Sequence, residues 1–355
     1  GITTGNSTAT VTGGTVGGSL YGGGLGTMNI DSVLGNSAAV VSGGLIASDV
    51  YGGCAYGVTV GTSRVTVSGG TVNGNIFAGG LGTANVVSVK SKRYVLMNGG
   101  TVWGSVYGGS SLGDDASSEA AVPAEASESN TSTYVVVSAG TVGGSVYGGG
   151  YKGVTTGTTY VDVGYSDFAG TKSNGMAISV GNSVYGGGDV GELAPGQPMF
   201  VDTMVFGGSH VRVNGNNVMS FTGTVSAAGN SCLTKGATDV LIEDLVLETE
   251  IESVHRAQEV TISSSELRFN GKVNGSGDNT KYSFYDLDHL NLKDGTTIYL
   301  YAPMSEIGEY NSLNSAGALT KPSAPMNRIY ICNGTMFEVK KTVDGVERYW
   351  NVNGY

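Results

Sequence analysis

Gly13-Gly-Thr-Val-Gly-Gly-Ser-Leu-Tyr-Gly-Gly-Gly24 returns as Gly99-Gly-Thr-Val-Trp-Gly-Ser-Val-Tyr-Gly-Gly-Ser110 and again as Ala139-Gly-Thr-Val-Gly-Gly-Ser-Val-Tyr-Gly-Gly-Gly150. Looser copies run from Gly43 to Cys54 and from Gly69 to Gly80, a truncated one from Gly181 to Gly188, and Val205-Phe-Gly-Gly208 reads as a seventh. The aromatic position falls at Tyr21, Tyr51, Phe77, Tyr107, Tyr147, Tyr185 and Phe206, with successive gaps of 30, 26, 30, 40, 38 and 21 residues. A constant core with a variable gap is how solenoid repeats behave, because each unit contacts only its neighbours and the connections tolerate insertion.

Aligning the copies on their glycine pair exposes a period of two. Two residues before the pair stand Val11, Val41, Val67, Met97 and Val137; four before it stand Ala9, Ala39, Val65, Val95 and Val135. Apolar columns at alternating residues mean a strand with one buried face. After the pair, Val16, Ile46, Val72, Val102 and Val142 form one further column, and Leu20, Val50, Ile76, Val106, Val146 and Val184 another. The unit therefore reads as strand, glycine turn, strand, glycine turn, with glycine supplying the positive φ of the corners. Stacked with like residues over like, such units are coils of an all-β, right-handed parallel β-helix, the hand following from the usual chirality of parallel crossovers. A propeller blade of the kelch type needs about 50 residues, more than these gaps allow. Transmembrane barrels use alternating strands of about ten residues with aromatic girdles, and glycine interrupts these runs sooner.

Composition agrees. Glycine makes up 61 of 355 residues while proline is only 6, which excludes collagen, and 39% hydrophobic residues exclude a disordered linker. A net charge of −11 argues against nucleic acid. No apolar run approaches the ~18 residues of a membrane span. A chain that opens on Gly1 without an initiator Met reads as a fragment of something longer, a monomer within that chain. Cys54, Cys232 and Cys332 are too few for a disulfide framework, and a Cys232–Cys332 bridge is disfavoured.

The glycines thin out along the chain: 51 fall in the first 230 residues and 10 in the last 125. The expected organisation is glycine-rich coils over 1–209, with a loop insertion over 111–133, and less glycine-rich coils over 210–355. Within that insertion, Asp114, Asp115, Glu119, Glu125 and Glu128 stand among small residues with almost nothing to bury. Residues 151–177 read as a second excursion and Glu192 to Pro198 as a third. Period-two segments continue at Thr238–Leu247, Glu259–Ser263, Glu266–Phe269, Leu290–Tyr301 and Asn327–Cys332, and Met336 to Trp350 reads as a hairpin turning at Asp344-Gly345.

These repeats, followed by Tyr282-Ser-Phe-Tyr-Asp-Leu287 and Gly295-Thr-Thr-Ile-Tyr-Leu-Tyr-Ala-Pro-Met304, resemble the pectin-lyase-like β-helix regions of large surface proteins of gut Firmicutes. The resemblance implies an adhesin-like, secreted protein on the bacterial cell surface. It also implies a host protein or host glycan as partner, with immunoglobulin a candidate because some such proteins bind it in a superantigen manner.

Chemistry-bearing motifs are sparse. Acids in the glycine-rich part do not recur at a repeat position, so nothing pairs them for acid–base work or metal binding. Glu243, Asp244, Glu248, Glu250 and Glu252 crowd near His255 and Arg256, which reads first as a solvated strand face and second as a catalytic or metal cluster. His210 and His289 read as surface or packed residues. The glycine clusters lack the helix a dinucleotide fold requires, no Gly-Lys-Ser/Thr exists, and Gly186-Gly-Gly-Asp-Val-Gly191 misplaces the acid of a calcium repeat. The expected function is non-enzymatic binding without a cofactor or metal; a β-helix polysaccharide lyase or glycoside hydrolase is the alternative.

The strongest binding candidates are Tyr21, Tyr51, Phe77, Tyr107, Tyr147 and Tyr185. With their neighbours pointing inward, stacking at about 4.8 Å would make them an exposed aromatic ladder. The competing reading is a stack that only stabilises the solenoid. Trp103, where other copies hold Gly17, Asn73 and Gly143, is the remaining candidate, a hot spot if exposed.

Overall fold

The computed structural model describes residues 2–26, 31–83, 88–113, 131–173, 176–191, 203–215, 219–269, 284–293, 296–301, 328–332, 337–343 and 346–352. Nineteen strands form one sheet in which every pairing is parallel, the stack of a β-helix. Five coils open with a ten-residue strand: Ser7–Val16, Ser37–Ile46, Ser63–Val72, Arg93–Val102 and Thr133–Val142. Each is followed by a two-residue strand, from Leu20–Tyr21 to Val146–Tyr147, and then by a segment that returns to the next coil.

The glycine pair does not end the first strand. It forms a bend inside it, with Gly14, Gly44, Gly70, Gly100 and Gly140 at φ between 73° and 99°. Val11 and Val16 are five residues apart, and an odd spacing would put them on opposite faces of a regular strand; the positive-φ glycine between them turns both inward. The expected glycine turn thus bends one continuous strand around the core.

Inward columns continue without a break beyond the glycine-rich part. Val137 pairs with Val163, Val163 with Val213, Val213 with Ile242 and Ile242 with Ile262, all buried. Residues 151–177 are therefore not one excursion. Thr159–Val163 is a strand in register with Thr133–Val137, and only the chain after it leaves the stack before Ile178–Val180 rejoins it against Gly140–Val142. Tyr165 and Ser166 stand where the other copies hold the glycine pair, which hides the strand in the sequence. Phe206 does not extend the aromatic column, because Val205 pairs with Thr155 and Leu233–Thr234 on the returning chain while Tyr185 pairs with Ser226.

The coil that opens with Thr238–Glu243 lacks the returning segment. Ser253–Ser263 is one strand whose start pairs with the short-strand column (Val225 with Val254) and whose end pairs with the long-strand column (Ile242 with Ile262). At the C-terminus, Phe337–Val343 and Val346–Val352 form the expected antiparallel hairpin; Asp344 and Gly345 lie outside the described residues, as do most of the 111–133 and 192–198 excursions.

Side chains fasten coil to coil at the second corner. The backbone N–H of Asn75 donates to Asp49 Oδ1 (2.7 Å), that of Ser105 to Asn75 Oδ1 (2.8 Å), that of Ser145 to Ser105 Oγ (3.0 Å) and that of Ser183 to Ser145 Oγ (3.2 Å). At the first strand's entry, Thr133 and Thr159 hydroxyls donate to the carbonyls of Gly148 and Gly186, both at 2.6 Å. Where these turns pass each other there is no room for a side chain: a Cβ on Gly148 would lie 2.2 Å from the Gly186 carbonyl oxygen.

Candidate functional site

Six of the seven predicted binding residues stack as the repeat implies. Tyr21, Tyr51, Phe77, Tyr107, Tyr147 and Tyr185 lie 4.7–5.0 Å apart, centroid to centroid, with interplanar angles of 2–12°. Their expected exposure is not found. Tyr51, Phe77, Tyr107 and Tyr147 are only 2–5% exposed and form a second core of their own, with Leu81 and Tyr151 of the returning chain packed against it. The glycines after each ring let the backbone fold back over the ladder, so a column on the outer face of the short strand becomes an interior one.

Its polar tips are also accounted for. Tyr51 Oη donates to Asp49 Oδ2 (3.1 Å) and Tyr107 Oη to Asp189 Oδ2 (3.2 Å). Asp189 is itself buried, and accepts from the Gly191 N–H (2.9 Å) and Asn230 Nδ2 (3.2 Å). Burial, then the nearby carboxylates, holds the Tyr51, Tyr107 and Tyr147 phenols well above their ordinary range. Trp103, by contrast, is 62% exposed at a corner whose neighbours on either side are Asn73 and Gly143.

A second aromatic stack stands on the outer face of the long strands. Register places Arg64, Tyr94, Tyr134, Tyr160, His210 and Asp239 in one outward column over successive coils. Tyr94–Tyr134 (5.2 Å), Tyr134–Tyr160 (4.9 Å) and Tyr160–His210 (5.0 Å) are stacked. Phe168 meets Tyr94 edge-on at 5.1 Å, Arg64 Cζ lies 5.5 Å from the Phe168 centroid, and Lys92 Nζ lies 6.0 Å from that of Tyr134. The rings are half-buried and Arg64 is exposed. His210 Nδ1 hydrogen-bonds Asp239 Oδ1, which closes the column with a carboxylate.

The segment after Val163 holds Phe168 in place. Asp167 Oδ1 accepts from the N–H groups of Ala169 (2.9 Å) and Thr171 (3.0 Å), and hydrogen bonding from the Thr171 side chain, then from these backbone groups, lowers the Asp167 carboxyl below its usual range. Arg212 forms a bidentate pair with the buried Asp162 (both bonds 2.6 Å) and lies 4.8 Å from the Tyr165 ring centroid. Lys172 Nζ reaches Glu243 (3.3 Å) and Asp244 (2.9 Å), and Tyr165 Oη donates to Glu243 Oε2 (3.2 Å). Two members of the acidic cluster flagged in the sequence thus anchor this segment, while Glu248 and Glu250 are exposed. His255 is buried with Nδ1 3.0 Å from Ser253 Oγ. Among the described residues no three His, Cys, Asp or Glu side chains are placed to hold a metal ion. Cys232 is a buried thiol in no disulfide, pushed up to about 12 by desolvation. Cys54 is buried with its sulfur 3.7 Å from Thr59 Oγ1.

The sequence carried a signal for the second stack, five residues before the glycine pair, at Arg64, Tyr94 and Tyr134. The column is outward and chemically mixed, so an alignment that follows apolar residues passes over it. No family model, curated protein or solved structure matches this chain.

Proposed function

We propose that this chain is a non-enzymatic binding segment of an adhesin-like protein on a bacterial cell surface, and that it engages a host protein or glycan, with immunoglobulin among the candidates. The observation that carries the reading is the outer stack of Tyr94, Tyr134, Tyr160 and His210, half-buried on a rigid parallel sheet and flanked by Arg64 and Lys92. Aromatic residues held in one rotamer lose little freedom on binding, which suits them to interface anchors. Trp103, exposed on the next face of the coil, is a second contact of the same kind.

The test is capture from host secretions, immunoglobulins included, on immobilised protein. Tyr134→Ala is expected to weaken retention at least tenfold and Trp103→Ala less, with circular dichroism unchanged. Retention unaffected by either variant overturns the reading, and new reducing ends released from polysaccharides during incubation would favour an enzyme instead.

A further inference from the structure

Both aromatic stacks have the same pitch, but the hydroxyl tips meet different surroundings. In the inner stack carboxylates take them: Asp49 accepts from Tyr51 and Asp189 from Tyr107. At the far end of the outer stack the same chemistry recurs, with Asp239 on His210. Between these points the outer stack presents the hydroxyls of Tyr94 and Tyr134. Among the described residues, Tyr94 and Tyr134 hydroxyls have no hydrogen-bond partner, and neither Arg64 nor Lys92 has a carboxylate within ion-pair distance. Arg64 Nε donates to Thr66 Oγ1 (3.3 Å) and its guanidinium lies over the Phe168 ring. By contrast, Arg212 and Lys172 nearby are neutralised by Asp162, Glu243 and Asp244.

We infer that Arg64, Lys92, Tyr94 and Tyr134 form a docking surface for an acidic segment of a partner protein, whose carboxylates would occupy the places that Asp49 and Asp189 hold on the inner stack. This rests on the binding role proposed above for the same face. Charge complementarity carries it: on a chain of net charge −11, Arg64 and Lys92 stand beside two phenol donors with no counter-ion among the described residues. Ring geometry favours peptide over sugar. A sugar stacks on the face of an aromatic ring, and the faces of Tyr134 are taken by Tyr94 and Tyr160. What the stack offers is ring edges, where the quadrupole is positive, and O–H groups, both of which attract carboxylates. The adjacent outward column offers the half-buried Thr66 and Leu96 for aliphatic contact with residues between the acids, while its next member, Val136, is buried.

The experiment uses the whole chain and a fluorescent oligo-glutamate peptide, with binding read by anisotropy at low and physiological salt. Tyr94→Phe with Tyr134→Phe keeps both rings and removes only the hydroxyls; it is expected to weaken binding at least fivefold. Arg64→Gln with Lys92→Gln is expected to weaken it at least tenfold and to flatten its salt dependence. Absence of binding, binding indifferent to both variants, or oligogalacturonate bound as tightly as the peptide overturns the inference. If Tyr134→Ala abolishes capture from secretions while oligo-glutamate neither binds nor competes, the binding role stands and the acidic partner falls. If Tyr134→Ala leaves capture intact, both fall together.

Discussion

The inner and outer aromatic stacks are built from the same rule and have different fates. Each arises because a parallel β-helix places equivalent residues of successive coils directly over one another, so a ring repeated in sequence becomes a ring stacked in space. What separates them is the chain that follows. After the inner rings the glycines turn the backbone back across them, carrying Leu81 and Tyr151 onto their edges. The outer rings face away from this path, and Phe168 of the segment after Val163 meets two of them edge-on. Burial is thus decided by the route of the connection, and with it the chemistry. Tyr51 and Tyr107 of the inner stack donate to carboxylates, and among the described residues Tyr94 and Tyr134 of the outer stack do not.

Truncating one ring in each stack should give the largest contrast. Tyr107 is in contact with two stacked rings, Tyr151 and Asp189, so Tyr107→Ala leaves a cavity and a buried carboxylate short of a donor. It should cost about 3–5 kcal/mol. Tyr134→Ala removes cross-strand contacts on a half-exposed face and should cost about 1 kcal/mol or less. Chemical denaturation monitored by circular dichroism measures both, and equal losses would mean that the two stacks are equivalent parts of the core.

Alkali separates them next. The folded inner phenols titrate above the unfolded value of about 10, because burial disfavours the phenolate. A group whose folded pKa is raised adds stability that is complete below the unfolded pKa and is lost as pH rises beyond it. Stability should therefore hold up to about pH 10 and fall above it. The inner phenolates should appear only as the chain unfolds, which phenolate absorbance followed alongside circular dichroism will show. Phenolates of Tyr51, Tyr107 and Tyr147 formed in a chain still folded would contradict their burial.

Much of this was legible in the sequence, and the misses have physical causes. Inward columns such as Val41, Val67 and Met97 are apolar in every copy, because the core accepts nothing else, and they led directly to a parallel β-helix. The stacking of Tyr21 through Tyr185 followed from register. Its burial did not, because alternation states which face of a strand a residue occupies and says nothing of what later covers that face. Thr159–Val163 escaped because Tyr165-Ser166 stand in place of a glycine pair. The outer stack escaped for the opposite reason: an outward column is free to vary, and this one runs Thr8, Ala38, Arg64, Tyr94, Tyr134, Tyr160, His210 and Asp239. Only the aromatic and cationic middle of that series draws notice, and only once pairing is known.

The smallest effect concerns the segment that carries Phe168 over the outer stack. Lys172 ties it to Glu243 and Asp244 through exposed ion pairs, which are worth little because water and salt screen them. Asp162 and Arg212 are a better-sheltered pair at the base, and Asp167 closes the segment's own turn. Lys172→Ala should therefore lower global stability by less than about 1 kcal/mol. Locally it should do more, since the segment's far end then loses its ion pairs and keeps neutral hydrogen bonds such as Ser166 N–H to the Thr171 carbonyl (2.8 Å) and Ser173 Oγ to the Ser138 carbonyl (3.2 Å). Amide exchange at Ala169 and Thr171 should accelerate while that of Val136 in the sheet beneath stays unchanged. If both speed up together, Phe168 and its segment are part of the sheet's cooperative unit. The outer stack would then be covered as firmly as the inner one, and the difference in accessibility between them would disappear.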